Sequence, residues 1–187
     1  NDWCRPSMNE EETMIIREGR HPLQEKCVST FVSNSTFMGG EHDKLMILTG
    51  PNACGTSVYL KQIGLIVFLA HLGSWVPATF AQIPIIDAIY TRIQTVDSVS
   101  LGLSAFTVDL DQVSTALNHA TSKSLVLLDE FGKGTCDVDG QALLASALEY
   151  WLAKGPSNCP TLIVSTHFHS VKTLKFQRRV KIECESS

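Results

Sequence analysis

The chain has 187 residues, of which 44% are apolar and 18% charged, with a net charge of −4 and an isoelectric point near 5.8. That length supports one domain with an ordinary core, and the balance excludes an intrinsically disordered segment. The acidic total also excludes a general basic footprint for nucleic acid, so any DNA contact is local or made by parts outside this chain.

In chain order, residues 1–14 read as a polar approach segment with "NEEE" solvated, and the charged character continues to about residue 20. "CVSTFVSNSTF" (27–37) combines β-branched residues with turn formers and predicts a short strand pair. "GGEHD" is a turn, and "KLMILTG" a buried strand that ends at a Gly-rich loop. From Gly55 to His71 the apolar residues Val58, Leu60, Ile63, Ile66 and Leu69 suit a mostly buried helix. "IPIIDAIYTRI" (83–93) reads as one strand after a proline. In 103–120, Phe106, Leu110, Val113 and Leu117 recur at helical steps. "SLVLLDE" (124–130) is a continuous apolar run ending in two acids, as a central strand does. A Gly-containing loop leads to a helix around 139–154, and "TLIVSTHFH" (161–169) is a further central strand. Strand and helix alternate, so the fold class is α/β, with a central, mainly parallel sheet flanked by helices.

The six cysteines are far apart and form no C-x-x-C pair, which argues against a zinc site or a disulfide framework and for a reducing compartment. The longest apolar run, Ile63 to Ala70, is too short to span a bilayer, so no membrane partner is expected. No stretch reads as a signal peptide, and the start at Asn1 rather than methionine reads as a fragment of a longer protein.

Three strand ends point polar residues at one edge: the loop 50–57, the pair Asp129-Glu130, and Thr166-His167. Ligands of open α/β sheets bind at such an edge. The set fits phosphoryl transfer from a nucleoside triphosphate with Mg²⁺. Amides of Gly50, Pro51 to Cys54 (through Asn52 and Ala53), Gly55 and Thr56, with the helix N-terminus, would hold phosphate oxygens; proline contributes shape rather than a donor. Ser57 would supply a hydroxyl and Asp129 a carboxylate to Mg²⁺, Glu130 would orient the attacking water, and His167 stands where a γ-phosphate sensor would.

"TGPNACGTSVYLKQIGL", "SVSLGLSAF", "LVLLDEFGKGTCDVDG" and "VSTHF" together resemble the four ATPase motifs of the MutS family, in the family's order. The resemblance implies an ABC-type P-loop ATPase domain over residues 15–176 that is cut short at its C-terminal end, with 177–187 a divergent tail. "REGRHPLQE" (17–25) resembles the segment before the family's nucleotide loop, which makes His21 a neighbour of the adenine. Finer features, including Ser100 to Ser104, "DEFGKGT" and "ALEYWLAKGP", most resemble the meiotic, fifth-homologue branch of the eukaryotic members. The family implies paired ATPase domains, each site completed by a partner's serine, here Ser104, with residues 131–140 near the contact between the two. It implies another MutS homologue as the partner (a heterodimer with the fourth homologue, in the meiotic branch), a nuclear, chromosome-associated location, and double-stranded or branched DNA bound through domains outside this chain.

The departures set the expected activity. The pattern G-x-x-x-x-G-K-[ST] needs lysine where this chain has Thr56. Lys61 lies five residues on, about 140° around the helix, and Lys44 on the far side of the strand, so neither replaces it. Ala105 follows the trans-acting serine where most relatives have threonine. The expectation is an ATP-binding domain that hydrolyses poorly; the alternative is a catalytically silent dimerisation partner.

Overall fold

The computed structural model describes residues 3–50, 55–93 and 105–168. Four strands, β4 (Leu45–Leu48), β6 (Ile89–Arg92), β7 (Leu125–Asp129) and β8 (Thr161–Ser165), form an all-parallel sheet in the order β4-β8-β7-β6. Every residue of β4, β7 and β8 is buried. Such strands are covered on both faces, and their alternation sorts two cores. Met46, Leu48, Leu125, Leu127 and Ile163 face one core, while Leu45, Ile47, Val126, Leu128, Leu162 and Val164 face the other.

The first core is closed by α1 (Thr56–His71), whose Leu60, Ile63, Ile66 and Val67 are fully buried. The second is closed by α2 (Ala105–His119) and α3 (Asp137–Ala153), with Leu144, Leu148 and Trp151 at its centre. Beyond α1 lies a second sheet of β1 (Ser7–Asn9), β2 (Met14–Gly19), β3 (Asn34–Met38) and β5 (Phe80–Pro84), in the order β1-β5-β2-β3. Here β1 runs parallel to β5, while β2 is antiparallel to both β5 and β3. Helix α1 is therefore enclosed between two sheets, which explains why its apolar residues extend around so much of its circumference.

The parallel sheet and its three helices agree with the α/β expectation; the second sheet was not anticipated. The approach segment expected over 1–14 contains β1 and the start of β2, because Met14 and Ile16 alternate inward at 1% and 0% exposure while Glu10 to Glu12 occupy the turn. Of the strand pair expected over 27–37, only β3 forms. The β-branched residues before it, Val28 and Val32, are 47% and 75% exposed and bury nothing. The single strand expected over 83–93 is two strands in different sheets. Between them, Asp87 accepts hydrogen bonds from the Thr121 and Ser124 hydroxyls, anchoring the crossing chain to the turn before β7. Burial alone would raise the Asp87 pKa, but these bonds outweigh it and hold the carboxyl below its ordinary value.

One buried polar contact joins α1 to the outer sheet. The Tyr59 hydroxyl lies 2.7 Å from the Thr36 hydroxyl on β3 and 3.6 Å from Met46 Sδ. Burial pushes the Tyr59 pKa up to about 12, against the lowering effect of the Thr36 bond, so the phenol stays protonated. We expect Tyr59→Phe to strand the fully buried Thr36 hydroxyl and to cost about 1–3 kcal/mol in denaturant unfolding. Thr36→Val combined with Tyr59→Phe should cost less than the sum of the two single changes.

Candidate functional site

The three strand ends meet in register. Leu48 pairs with Ser165, and Ser165 pairs with Asp129, so β4, β8 and β7 finish side by side, and the Thr166 N–H donates to the Leu48 carbonyl at 3.0 Å. Asp129, only 2% exposed, accepts a 2.6 Å hydrogen bond from the Ser165 hydroxyl. Its carbonyl accepts from Arg92 Nη1, while Arg92 Nη2 is paired with Asp109 on α2. Arg92 and Asp109 are themselves buried, so the end of β7 is tied to both the neighbouring strand and α2.

Glu130 is positioned by backbone constraint. Its φ of 52° lies in the left-handed region, which costs a non-glycine residue roughly 1–2 kcal/mol. The turn is held by the Glu130 N–H, which donates to the Ser165 carbonyl at 3.1 Å and to its hydroxyl oxygen at 3.2 Å. Glu130 Oε2 consequently stands 3.3 Å from His167 Nδ1 and 3.0 Å from Lys133 Nζ. Glu130 Oε2 is ion-paired with Lys133, but among the described residues neither it nor His167 Nδ1 has a partner in hydrogen-bond geometry, although both atoms are buried. Two buried polar atoms facing each other without a bond fit a place for a further polar group, such as a water or a phosphate oxygen.

The loop after Glu130 is locked by close backbone packing. Gly132 has a φ of 93°, and a Cβ there would come within 2.7 Å of the Gly140 backbone; a Cβ on Gly140 would reach the Gly132 carbonyl at 2.3 Å. Gly134 rests on Phe106 of α2. Residues 131–140 thus join β7 to the start of α2, the helix that Ser104 immediately precedes.

The described residues on either side of the Gly-rich loop, Gly50 and Gly55 to Ser57, flank the same edge. Gly50, two residues beyond the end of β4, is exposed. Gly55 adopts a φ of 91° as the N-cap of α1, with no side-chain cap and no acid in the first turn, and Thr56 and Ser57 are half-buried there. An uncapped helix N-terminus with no carboxylate beside it suits an anion. Pro51, Asn52, Ala53, Cys54 and Ser104 lie outside the described residues. Lys44 is at the opposite end of β4, 2.6 Å from Glu12 Oε2 and 3.2 Å from the Cys159 carbonyl, which agrees with its exclusion from the site.

His21, expected beside a base, is 5% exposed, and its Nδ1 accepts from the Leu23 and Gln24 N–H groups at 3.3 Å each, closing the short 3-10 turn Gln24–Lys26. Burial lowers its pKa; a main-chain hydrogen bond opposes this and the Lys61 charge reinforces it. Sequence reasoning missed three residues that organise the edge: Arg92, Asp109 and Lys133. Only Lys133 left a signal, its spacing three residues beyond Glu130.

Fit to Mg²⁺ rests on donor chemistry. Mg²⁺ takes one or two carboxylates and keeps waters or phosphate oxygens for the rest. Asp129 and Ser57 supply that kind of set, and among the described residues no group of three or more His, Cys, Asp or Glu side chains could hold a metal by itself.

The His21 geometry has a pH signature. Because the folded pKa lies below the ordinary 6.5, the unfolded chain takes up the proton first as pH falls. Stability is full above 6.5, declines as pH drops through that value, and levels off below the lower folded pKa. We expect His21→Asn, whose amide oxygen can accept the same N–H groups, to show a shallower dependence of the urea midpoint on pH from about 7 to about 5. An unchanged slope would show that His21 is not the group responsible.

The family model for MutS domain V matches residues 46–185. The chain is 48% identical to MutS protein homolog 5 of Caenorhabditis elegans over 91% of its own length and 13% of that protein's. It is 41% identical to the DNA mismatch repair protein MutS of Clostridium kluyveri, over 100% of this chain and 22% of the relative, and 43% identical to that of Clostridium beijerinckii, over 94% and 19%. The chain therefore spans about a fifth or less of the length of these curated relatives. The match to domain V takes in most of β4, and β7 and β8, with the loops at their ends, and the alignment with the Clostridium kluyveri protein covers the whole chain: this chain belongs to the MutS family.

Proposed function

We propose that the chain is the ATP-binding domain of a MutS-like protein that acts on DNA, with an ABC-type P-loop site at the C-terminal edge of the parallel sheet. The observation that carries this reading is the register Leu48–Ser165–Asp129, which ends β4, the strand before the Gly-rich loop, level with the Asp129-Glu130 pair and the end of β8 before His167. Ser57 and Asp129 hold Mg²⁺ with the phosphates, which supplies charge neutralisation at the transferring group. Glu130 orients water, and the strain at its backbone is the sort of cost that a functional position carries. His167, 33% exposed at the side chain and tilted against the Phe168 ring, stands beside it for the γ-phosphate.

Thr56 leaves the loop without its cation, so binding is weaker and hydrolysis slow. The similarity to a MutS protein homolog 5 favours a meiotic role on branched DNA over mismatch repair, in the nucleus and with another MutS homologue, the fourth, as heterodimer partner. Ser104 would act on that partner's site. Thr56 also favours a second reading, a silent dimerisation domain, which predicts no nucleotide binding at all.

Calorimetry separates these readings. We expect Thr56→Lys to tighten ATP binding about tenfold, the effect of roughly 1.4 kcal/mol from one charge-assisted contact. Equal affinities would mean that the loop does not cradle phosphates. We further expect Asp129→Ala to abolish the Mg²⁺ dependence of ATP binding. The same Mg²⁺ effect in both proteins would remove Asp129 from the metal site.

A further inference from the structure

Lys133 is half-exposed, with 52% of its side chain open to solvent, yet its backbone is fixed. The Lys133 N–H donates to the Glu130 carbonyl, the Thr135 N–H returns to Gly132, and the Gly132–Gly140 and Gly134–Phe106 contacts hold both flanks. A flexible cation on a rigid base therefore stands at the site edge, its Nζ 3.0 Å from the Glu130 oxygen that also faces His167. Among the described residues, Arg92, Lys44 and Lys61 do not fill this place. Arg92 is buried between Asp109 and the Asp129 carbonyl, Lys44 pairs with Glu12 at the far end of β4, and Lys61 lies on the exposed face of α1, where its charge is felt by His21.

We propose that Lys133 supplies, to the terminal phosphate of ATP, the positive charge that Thr56 does not. Without nucleotide its ammonium rests on Glu130; a polyphosphate entering between α1 and the Glu130–His167 pair offers a stronger anion, and the lysine transfers its contact from one carboxylate oxygen to phosphate oxygens. The same transfer releases Glu130 Oε2 to accept from water, so one side chain both binds the nucleotide and frees the base. This rests on the ATP-binding reading above. It assigns the missing charge to a different loop, reached from β7 instead of from β4.

The test is a double-mutant cycle read by calorimetry on the full 187-residue chain with Mg²⁺, using ATP, ADP and AMP as probes. Lys133 is half-exposed and contributes to no core, so Lys133→Gln should fold as wild type, and circular dichroism checks this. We expect Lys133→Gln to weaken ATP about tenfold, the order of one lost charge-assisted contact, to weaken ADP less and to leave AMP unchanged. Lys133→Arg should keep most of the affinity. Thr56→Lys should gain more in the Lys133→Gln background than in wild type, because the two cations serve one phosphate. Three results would overturn the proposal: ATP affinity untouched by Lys133→Gln, an equal loss with AMP, or equal gains from Thr56→Lys in both backgrounds. Absence of any nucleotide binding by the wild-type chain is a separate outcome, which removes the parent reading and this inference with it.

Discussion

Asp129 is clamped from both sides, and the site depends on that clamp. Its carboxylate accepts from Ser165 on one neighbouring strand, and its carbonyl accepts from Arg92 on the other, whose remaining charge is neutralised by Asp109. Burying a guanidinium and a carboxylate is expensive, and removing one member of such a pair typically costs about 3–5 kcal/mol because the other is left uncompensated. The pair therefore does more to fix geometry than to stabilise. It fastens α2 to the end of β7, and with it the helix start that follows Ser104.

From this anchor the parallel register transmits position to the whole edge. Because Asp129, Ser165 and Leu48 are paired in sequence across three strands, the loops leaving them begin at one level. Glu130 turns through a left-handed backbone that two donations to Ser165 hold in place. Ser165 is thus a shared support. Its hydroxyl donates to Asp129, and both its hydroxyl oxygen and its carbonyl accept from the Glu130 N–H, so the two acids cannot shift independently.

The electrostatics of the edge are unbalanced in an informative way. Helix α1 begins with an uncapped N-terminus and no acid, favourable to phosphate, yet the residue that follows Gly55 is a neutral threonine. Among the described residues, a half-exposed positive charge stands on the β7 side, paired with Glu130. On the proposed ATP-binding reading, a nucleotide would draw this cation out of an existing ion pair, which would weaken net binding and couple it to the state of Glu130. The pair is open at Lys133 (52% exposed) and more covered at Glu130 (20%), and a pair at the surface contributes only about 0–1 kcal/mol, so an exchange on the lysine side is energetically accessible.

The residue order alone determined the parallel sheet, its helices and the identity of the acids at its edge, because buried central strands and amphipathic helices leave strong local patterns. "SLVLLDE" and "TLIVSTHF" announce themselves: a short continuous apolar run, four residues in the first and three in the second, turns abruptly polar, as a buried central strand does at its end. The outer sheet left no such trace. Its strands are three to six residues long, half-exposed, and closed by pairings between residues as distant as Ile16 and Ala81, which no local window can see. The same reason hid Arg92, whose role exists only because β6 lies beside β7 and under α2. It also hid the second use of Lys133, which sequence reads as part of a Gly-rich turn. Local pattern chose the elements; tertiary packing decided which charges meet, because the energy of a buried ion pair depends on neighbours brought together from distant parts of the chain.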